Sequence, residues 1–212
     1  MWMWITCALL AAAYLLGSIS GSLLLGRLRG VDIRTQGSGN AGGTNALRTQ
    51  GWRFALGVVL IDVGKGALAA AMAALMLPGA SHAIVLATVF ATMAGHIWPV
   101  FHGFRGGKGA ATLVGGLAVA WPLALLPVLA TWIVSLVLTG YVGLSTVLAA
   151  LALAAFAAFA AIPPQDPTRF AFALAVAALI VYTHRDNLRR VRAGTESRFE
   201  RARLFHRARR TP

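Results

Sequence analysis

The sequence predicts an all-α, polytopic membrane helix bundle with seven transmembrane helices. Of the 212 residues, 58% are hydrophobic and only 12% are charged, and the mean hydropathy is +0.72. Apolar runs of roughly 17 to 25 residues match the length that a helix needs to cross a hydrocarbon core. Basic residues lie almost entirely between or after these runs, as in cytoplasmic segments. This composition excludes a disordered chain and an ordinary soluble domain.

The direction of the spans follows from the basic residues. The first apolar run, Met1 to Leu25, has none ahead of it and is followed by Arg27 and Arg29. A cleavable signal peptide has the opposite order, so we expect a retained span with the N-terminus outside. Further spans are predicted at 54–77, 83–101, 110–121, 123–138, 142–161 and 169–183. Seven crossings place the C-terminus in the cytoplasm, with five as the alternative if 110–138 is one tilted or kinked span.

The chain is predicted to be one integral membrane domain, 1–212, with a basic cytoplasmic tail at 184–212. The net charge of +13 could suggest nucleic acid, but its placement at span ends predicts contact with membrane lipid and no nucleic-acid partner. The single Cys7 lies in the first span, which excludes an internal disulfide. No structural metal site is visible in the sequence.

The first polar segment with chemical content, 37–48, reads Gly-Ser-Gly-Asn-Ala-Gly-Gly-Thr-Asn-Ala-Leu-Arg. Glycines let backbone N–H groups converge on an anion, and Arg48 adds a planar charged fork. The pattern favours a site for a phosphate or a developing oxyanion over a merely flexible interhelical loop. The candidate residues are Gly37, Ser38, Gly39, Asn40, Thr44, Asn45 and Arg48.

The second segment, 103–109, reads Gly-Phe-Arg-Gly-Gly-Lys-Gly and resembles a phosphate cradle. It is not a Walker A loop, because His102 replaces the leading glycine and Gly109 stands where Ser or Thr should hold magnesium. An NTPase is therefore disfavoured, and the alternative is a basic hairpin that anchors the membrane face. The candidate residues are Gly106, Gly107, Lys108 and Gly109.

The third segment, 184–196, begins with a histidine at the end of the last span. If it is helical, His184 and Asn187 share one face and can both point into the cytoplasmic mouth of the bundle. Histidine can act as a base near neutral pH. The alternative is a polybasic surface helix on anionic lipid.

Two charged residues lie inside the second span, three positions apart. Asp62 and Lys65 are predicted to form an ion pair that holds the bundle together, or Lys65 lends its charge to the site. His96, in the third span, is expected to be an interfacial histidine rather than a catalyst.

Taken together, the motifs resemble those of the bacterial membrane glycerol-3-phosphate acyltransferases that use acyl phosphate, the PlsY family. The resemblance rests on Gly-Ser-Gly-Asn-x-Gly-x-Thr-Asn-x-x-Arg at 37–48 and on Gly-His-x-Trp-Pro at 95–99, followed by Phe-x-Gly-Gly-Lys-Gly at 104–109. It continues with His-Arg-x-Asn-x-x-Arg at 184–190 and Gly-Thr-Glu at 194–196. The match covers nearly the whole chain.

The resemblance implies transfer of a fatty acyl group from acyl phosphate to the 1-hydroxyl of glycerol 3-phosphate, at the cytoplasmic face of the bacterial inner membrane. The products would be lysophosphatidic acid and orthophosphate, in the first acylation of phospholipid synthesis, without a cofactor or metal. Ser38, Arg48, His184 and Asn187 are expected to be needed for activity. Residues 106–109 are expected to bind glycerol phosphate, and Glu196 to be structural.

Several positions depart from the family pattern, and two other classes of function remain open. Gly43 stands where Ala is usual, Thr183 where Arg often precedes the histidine, and Gly143 where Ser is common. The rival class is a small transporter or channel for an anionic metabolite, with the basic mouth as a selectivity ring. A noncatalytic membrane scaffold is the third reading. The sequence does not indicate an oligomeric state.

Overall fold

The fold is given by a computed structural model that describes residues 2–77, 82–159 and 166–199. Within these ranges all regular structure is helical and no strand occurs, which confirms the all-α prediction. The α-helices are α1 (Trp2–Gly17), α2 (Gly21–Leu28), α3 (Gly43–Gln50), α4 (Trp52–Met76), α5 (His82–Ile97), α6 (Ala110–Ala120), α7 (Leu125–Thr139), α8 (Val142–Phe159), α9 (Pro167–Thr183) and α10 (Arg185–Arg192). Short 3-10 turns cover Ile33–Thr35, Val100–His102 and Pro122–Ala124.

Between four and six helical segments of the described chain are long and apolar enough to cross a membrane. Four qualify alone: Trp52–Met76, His82–His102, Pro122–Thr139 and Val142–Phe159. Two more qualify if each bent pair is one span, namely α1 with α2, bent by 46°, and α9 with α10, bent by 57°. Helix α6 is apolar but has only 11 residues. The chain is thus a multi-pass membrane protein.

The chain divides into two compact units, each described here by itself. Unit 1 comprises 1–125 and 167–172, and unit 2 comprises 126–166 and 173–212. In unit 1, α4 lies centrally and packs against α2, α3, α5 and α6, while α1 packs along α5. In unit 2, α10 packs on α8. The single domain expected from the sequence stays a prediction.

Paired glycines allow the helices of unit 1 to pack backbone against backbone. A Cβ at Gly66 on α4 would overlap the Thr112 carbonyl of α6, and a Cβ at Gly115 on α6 would overlap the Val63 carbonyl of α4. The same reciprocal pattern joins α1 and α5 through Gly17 and Gly95. In lipid, where no hydrophobic force draws helices together, such close approach supplies the dispersion contacts that hold them.

Candidate active site

The Ser38 loop, residues 29–42 between α2 and α3, is an ordered turn rather than a flexible linker. Asp32 caps the 3-10 turn by accepting a hydrogen bond from the Arg34 amide at 2.9 Å. Ile33 is fully buried in an apolar cluster and anchors the loop. Gly37 and Gly39 have left-handed backbones, with φ of 56° and 72°, which residues with a Cβ rarely adopt.

Asn45, predicted as a phosphate ligand, lies inside the loop instead. Its side-chain oxygen accepts a hydrogen bond from the Ser38 amide at 3.0 Å, and its Nδ2 donates to the carbonyls of Ile33 at 3.1 Å and Gln36 at 2.9 Å. The residue is only 1% exposed. Both amide hydrogens are thus committed within the protein, so Asn45 shapes the loop and fixes the Ser38 backbone.

The other polar residues of this segment lie nearer to solvent. Ser38 and Arg48 are exposed, whereas Asn40 and Thr44 are half-buried next to the first turn of α3. Arg48 lies in the last turn of α3. These positions leave Ser38 and Arg48 accessible to a soluble anion.

The Lys108 loop, residues 98–109 between α5 and α6, folds back onto the end of α5. The Gly106 amide donates to the Ile97 carbonyl at 3.1 Å, and the Gly107 amide donates to the His96 carbonyl at 3.0 Å. A Cβ at Gly107 would overlap the His96 ring. The prediction that these two amides bind phosphate therefore needs correction, because both are engaged and the glycines are required for close packing. Gly109 has a left-handed backbone directly before α6. It stays a predicted phosphate-binding residue, together with the half-buried Lys108.

One side chain joins the two loops at the same end of unit 1. The Nη1 of Arg34 donates to the carbonyl of His102 at 2.9 Å and contacts that of Arg105 at 3.4 Å. Its Nε and Nη2 bind the Asp32 carboxylate at 3.0 and 2.8 Å. These hydrogen bonds from Arg34 lower the pKa of Asp32 to about 2. The loops that carry Ser38 and Lys108 therefore meet.

Asp62 and Lys65 form the predicted ion pair, with the Nζ of Lys65 2.9 Å from Oδ1 of Asp62. Lys65 also donates to the carbonyls of Gly17 at 2.9 Å and Ile19 at 2.8 Å. Asp62 accepts a hydrogen bond from the Gly21 amide at 3.1 Å. The pair thus supplies hydrogen-bond partners to the backbone carbonyls and the amide that are left without helical partners at the break between α1 and α2.

The alternative role predicted for Lys65, charge lent to the substrate, is not what the geometry supports. The Lys65 side chain is only 3% exposed, and its ammonium group is surrounded by protein acceptors. The Nζ of Lys65 also lies 2.8 Å from Nδ1 of His96. His96 is buried rather than interfacial, and its ring lies between Lys65 and Gly107.

In unit 2, His184 and Asn187 lie at and just after the bend between α9 and α10. His184 is buried, and its Nδ1 is 2.8 Å from the Ile180 carbonyl. Asn187 donates to Oε1 of Glu196 at 2.6 Å, and Arg190 donates to Oε2 of Glu196 at 2.5 Å. Glu196 thus joins two side chains of α10 to the segment after it, and its structural role stays a prediction.

The departure at Gly143 from the family pattern has a spatial explanation within unit 2. A Cβ at Gly143 would lie 2.8 Å from the Asn187 Cβ, closer than real Cβ atoms approach. A serine at this position would therefore need Asn187 to move.

The side chains of the two loops and of α3 suit anion binding and transition-state stabilisation. Ser38 can donate a hydrogen bond, and Arg48 and Lys108 supply positive charge. In the ranges covered by the structure, no group of three or more His, Cys, Asp or Glu is arranged to hold a metal ion.

Comparison with solved structures first defines the class of protein. The fold matches the crystal structure of PlsY, an integral membrane glycerol 3-phosphate acyltransferase, in its glycerol 3-phosphate form, with a TM-score of 0.83 and 34% identity. That match covers 92% of this chain and 95% of the PlsY chain. The lysophosphatidic acid form of PlsY matches with a TM-score of 0.80, 33% identity and coverage of 91% and 94%. The class is therefore an integral membrane acyltransferase.

Sequence comparison then gives the family. Residues 7–194 match the model of the glycerol-3-phosphate acyltransferase family. Relatives named glycerol-3-phosphate acyltransferase include that of Geotalea daltonii, 41% identical over 91% of this chain and 97% of its own. That of Chlorobaculum parvum is 37% identical over 90% and 95%. The chain belongs to the glycerol-3-phosphate acyltransferase family.

Proposed function

We propose that the protein transfers a fatty acyl group from acyl phosphate to the 1-hydroxyl of glycerol 3-phosphate. The products are lysophosphatidic acid and orthophosphate, in the first acylation step of bacterial phospholipid synthesis. The observation that carries this proposal is the junction of the Ser38 loop with the Lys108 loop, since it brings two predicted anion-binding segments to one end of unit 1. Family membership and the glycerol 3-phosphate form of PlsY support the acceptor.

The proposed reaction is one direct displacement on a mixed anhydride. The glycerol oxygen attacks the acyl carbonyl carbon, an ester bond forms, and the bond from that carbon to the phosphate oxygen breaks. The hydroxyl proton passes to a phosphate oxygen of a substrate, and orthophosphate leaves. His184 as the base stays a prediction from the sequence. No covalent enzyme intermediate is required, because phosphate is already a good leaving group.

Arg48 and Lys108 have the role of holding two anions together in this mechanism. Each neutralises phosphate charge, which lets the hydroxyl approach the acyl carbonyl. Ser38 is the proposed donor to the tetrahedral oxyanion, and the expectation from the sequence that Asn187 is needed for activity stays a prediction. Asn45 is left out of this set because its amide hydrogens are bound inside the Ser38 loop.

We further propose seven crossings in the bacterial inner membrane, with the N-terminus outside and the site in the cytoplasm. The six candidate spans, together with α6 as a short crossing, give this number. If 110–138 formed one tilted or kinked span, the chain would cross the membrane six times and not five. Six would place both ends of the chain on the same side, against the distribution of basic residues.

The decisive experiment uses the purified protein in detergent with acyl phosphate and glycerol 3-phosphate. Release of orthophosphate and formation of lysophosphatidic acid are followed together. We expect both products in equal amounts, whereas a transporter or a scaffold gives neither. Omission of glycerol 3-phosphate, followed by rapid quenching and mass measurement, should leave Ser38 without an acyl group.

Substitution of the two cations tests the site directly. Arg48→Ala and Lys108→Ala should each lower kcat/KM at least roughly a hundredfold, because each removes charge that stabilises the transition state. Arg53→Ala is the matched control, since Arg53 is an exposed arginine of unit 1 that lies over the Trp52 ring. Near-wild-type turnover in either site variant would remove the phosphate-binding assignment.

A further inference from the structure

Asp32 and Arg34 lie outside the motifs that carry the family resemblance, yet Arg34 makes the described side-chain contact between the two loops. We propose that these two residues are positioning residues. The Arg34 guanidinium, held by Asp32, hydrogen-bonds the Ser38 loop to the Lys108 loop, and this contact, the Arg34 latch, sets the spacing of the bound reactants. The proposal rests on the proposed function, because the spacing matters only if both loops hold substrate.

The geometry of the guanidinium matches this role. One edge of its fork is taken by Asp32, through Nε at 3.0 Å and Nη2 at 2.8 Å. This leaves Nη1 directed at the carbonyl of His102. The fork is planar, so fixing one edge on a carboxylate orients the remaining donor. A lysine has the same charge but cannot make both sets of contacts at once.

The part of the Lys108 loop that Arg34 contacts has a strained backbone. The residues between the two contacted carbonyls, Gly103 and Phe104, have φ of 64° and 59°. Phe104 is the one non-glycine residue with positive φ in the described chain, and such strain persists only where surrounding contacts enforce it. Arg34 bonds to His102 before this turn and to Arg105 after it, so it favours the strained conformation.

The Ser38 side of the latch is held firmly. The Asp32 carboxylate also accepts the Arg34 amide at 2.9 Å, and Thr35 donates its hydroxyl to the Asp32 carbonyl at 2.8 Å. Asn45 ties the same turn to α3 through the Ile33 carbonyl. Movement of Arg34 is therefore coupled to the loop that presents Ser38.

An exposed ion pair alone contributes little, so the claim depends on the carbonyl contacts. With a pKa of about 2, the Asp32 carboxylate stays ionised at physiological pH, so protonation does not remove the partner of Arg34. The loss of the latch should leave Arg48 on α3 and Lys108 in its loop, so both cations remain. We therefore expect a loss of alignment more than a loss of anion affinity.

The test compares Arg34→Lys, Arg34→Ala and Asp32→Asn with Arg53→Lys and Arg53→Ala, all as full-length, monodisperse protein in detergent. The rate of hydrogen–deuterium exchange in peptides covering 98–109 measures whether the contact between Arg34 and the Lys108 loop is formed. The amides of His102 and Phe104, which both donate to the Pro99 carbonyl, are the reporters. Steady-state kinetics give kcat and KM, and competition by inorganic phosphate gives anion affinity.

Arg34→Lys should exchange faster over 98–109 and lose roughly tenfold or more in kcat, with phosphate affinity changed less than about threefold. Asp32→Asn should lie between Arg34→Lys and wild type. The Arg53 variants should match wild type in both measurements. A merely structural role would lower the fraction of folded protein without changing kcat per folded molecule.

The proposal is overturned if Arg34→Lys matches Arg53→Lys in exchange, or if it exchanges faster but keeps the wild-type kcat. An inactive wild-type protein would instead overturn the proposed function, and the catalytic role of the latch with it, while the exchange data still report the contact itself. The failures of the two proposals are therefore distinguishable.

Discussion

At the scale of single residues, an amide side chain carries no mark in the sequence of whether it faces a ligand or its own loop. Asn45 stands among polar residues in the glycine-rich segment 37–48, and this pattern predicts that its side chain binds phosphate. The structure places it 1% exposed, with hydrogen bonds to three backbone groups. Burial decides its role, and burial depends on how α3 packs.

This role makes Asn45→Asp a sharp test. The carboxylate keeps the bond from the Ser38 amide but turns an oxygen toward the Ile33 and Gln36 carbonyls, which lose their donors. Leaving such buried groups unpaired costs about 1–3 kcal/mol. We expect a lower thermal midpoint and at least a roughly tenfold loss of kcat/KM.

The control for Asn45→Asp is Gln50→Glu, the same chemical change on the same helix. Gln50 donates to the Gln36 side-chain amide at 2.7 Å, and that amide can rotate to offer its NH₂ group instead. Its thermal midpoint should stay near that of wild type. Equal effects of the two substitutions would contradict the positioning role of Asn45.

The charged pair in α4 shows which part of a site local spacing can predict. Asp62 and Lys65 are three residues apart on one helix, so their ion pair follows from helical geometry, and it is confirmed. The further partners of Lys65, Gly17, Ile19 and His96, come from other helices. No local pattern indicates these partners, which is why the sequence left a substrate-binding role for Lys65 open.

At the scale of elements, hydropathy predicts the helices well but misses breaks within apolar runs. The spans predicted at 54–77 and 83–101 correspond to Trp52–Met76 and His82–Ile97. The first predicted span, Met1 to Leu25, is broken after Gly17. Both halves are apolar and no proline separates them, while the polar groups that satisfy the break lie on α4.

The α4–α6 contact offers a matched test on one helix. Gly66→Ala places a methyl group against the Thr112 carbonyl, whereas within the described chain a methyl at Gly64 meets no atom within 4 Å. Overlap with backbone typically costs about 1–3 kcal/mol. We expect Gly66→Ala to lower the thermal midpoint in detergent and Gly64→Ala to leave it unchanged or raise it, since Ala favours helix. Equal midpoints would mean that α4 and α6 do not approach as described.

At the scale of the whole molecule, the fold class was predictable because an apolar run of about 20 residues crosses a bilayer as a helix, which satisfies its backbone hydrogen bonds internally. The junction of the first two loops through Arg34 was not predictable, because neighbourhood in space depends on packing that no motif encodes. The crossing of the short helix α6 likewise depends on bilayer thickness and tilt rather than on hydropathy alone.

Cysteine labelling tests the proposed topology. In a Cys7→Ser background, Thr35→Cys and Ser197→Cys should react only from the cytoplasmic side. Leu123→Cys, in the turn after α6, should react only from the outside, because seven crossings require α6 to span. Reaction of Leu123→Cys from the cytoplasm would make the segment after α5 re-entrant and the count of seven wrong.

The break between α1 and α2 constrains the order in which the chain can assemble during synthesis. The carbonyls of Gly17 and Ile19 and the amide of Gly21 receive their partners from Lys65 and Asp62, which leave the ribosome more than 40 residues later. The first helices therefore cannot reach their final packing on their own. Their final packing must wait until α4 has been made. Asp62 and Lys65 then enter the membrane as a neutral ion pair rather than as two separate charges.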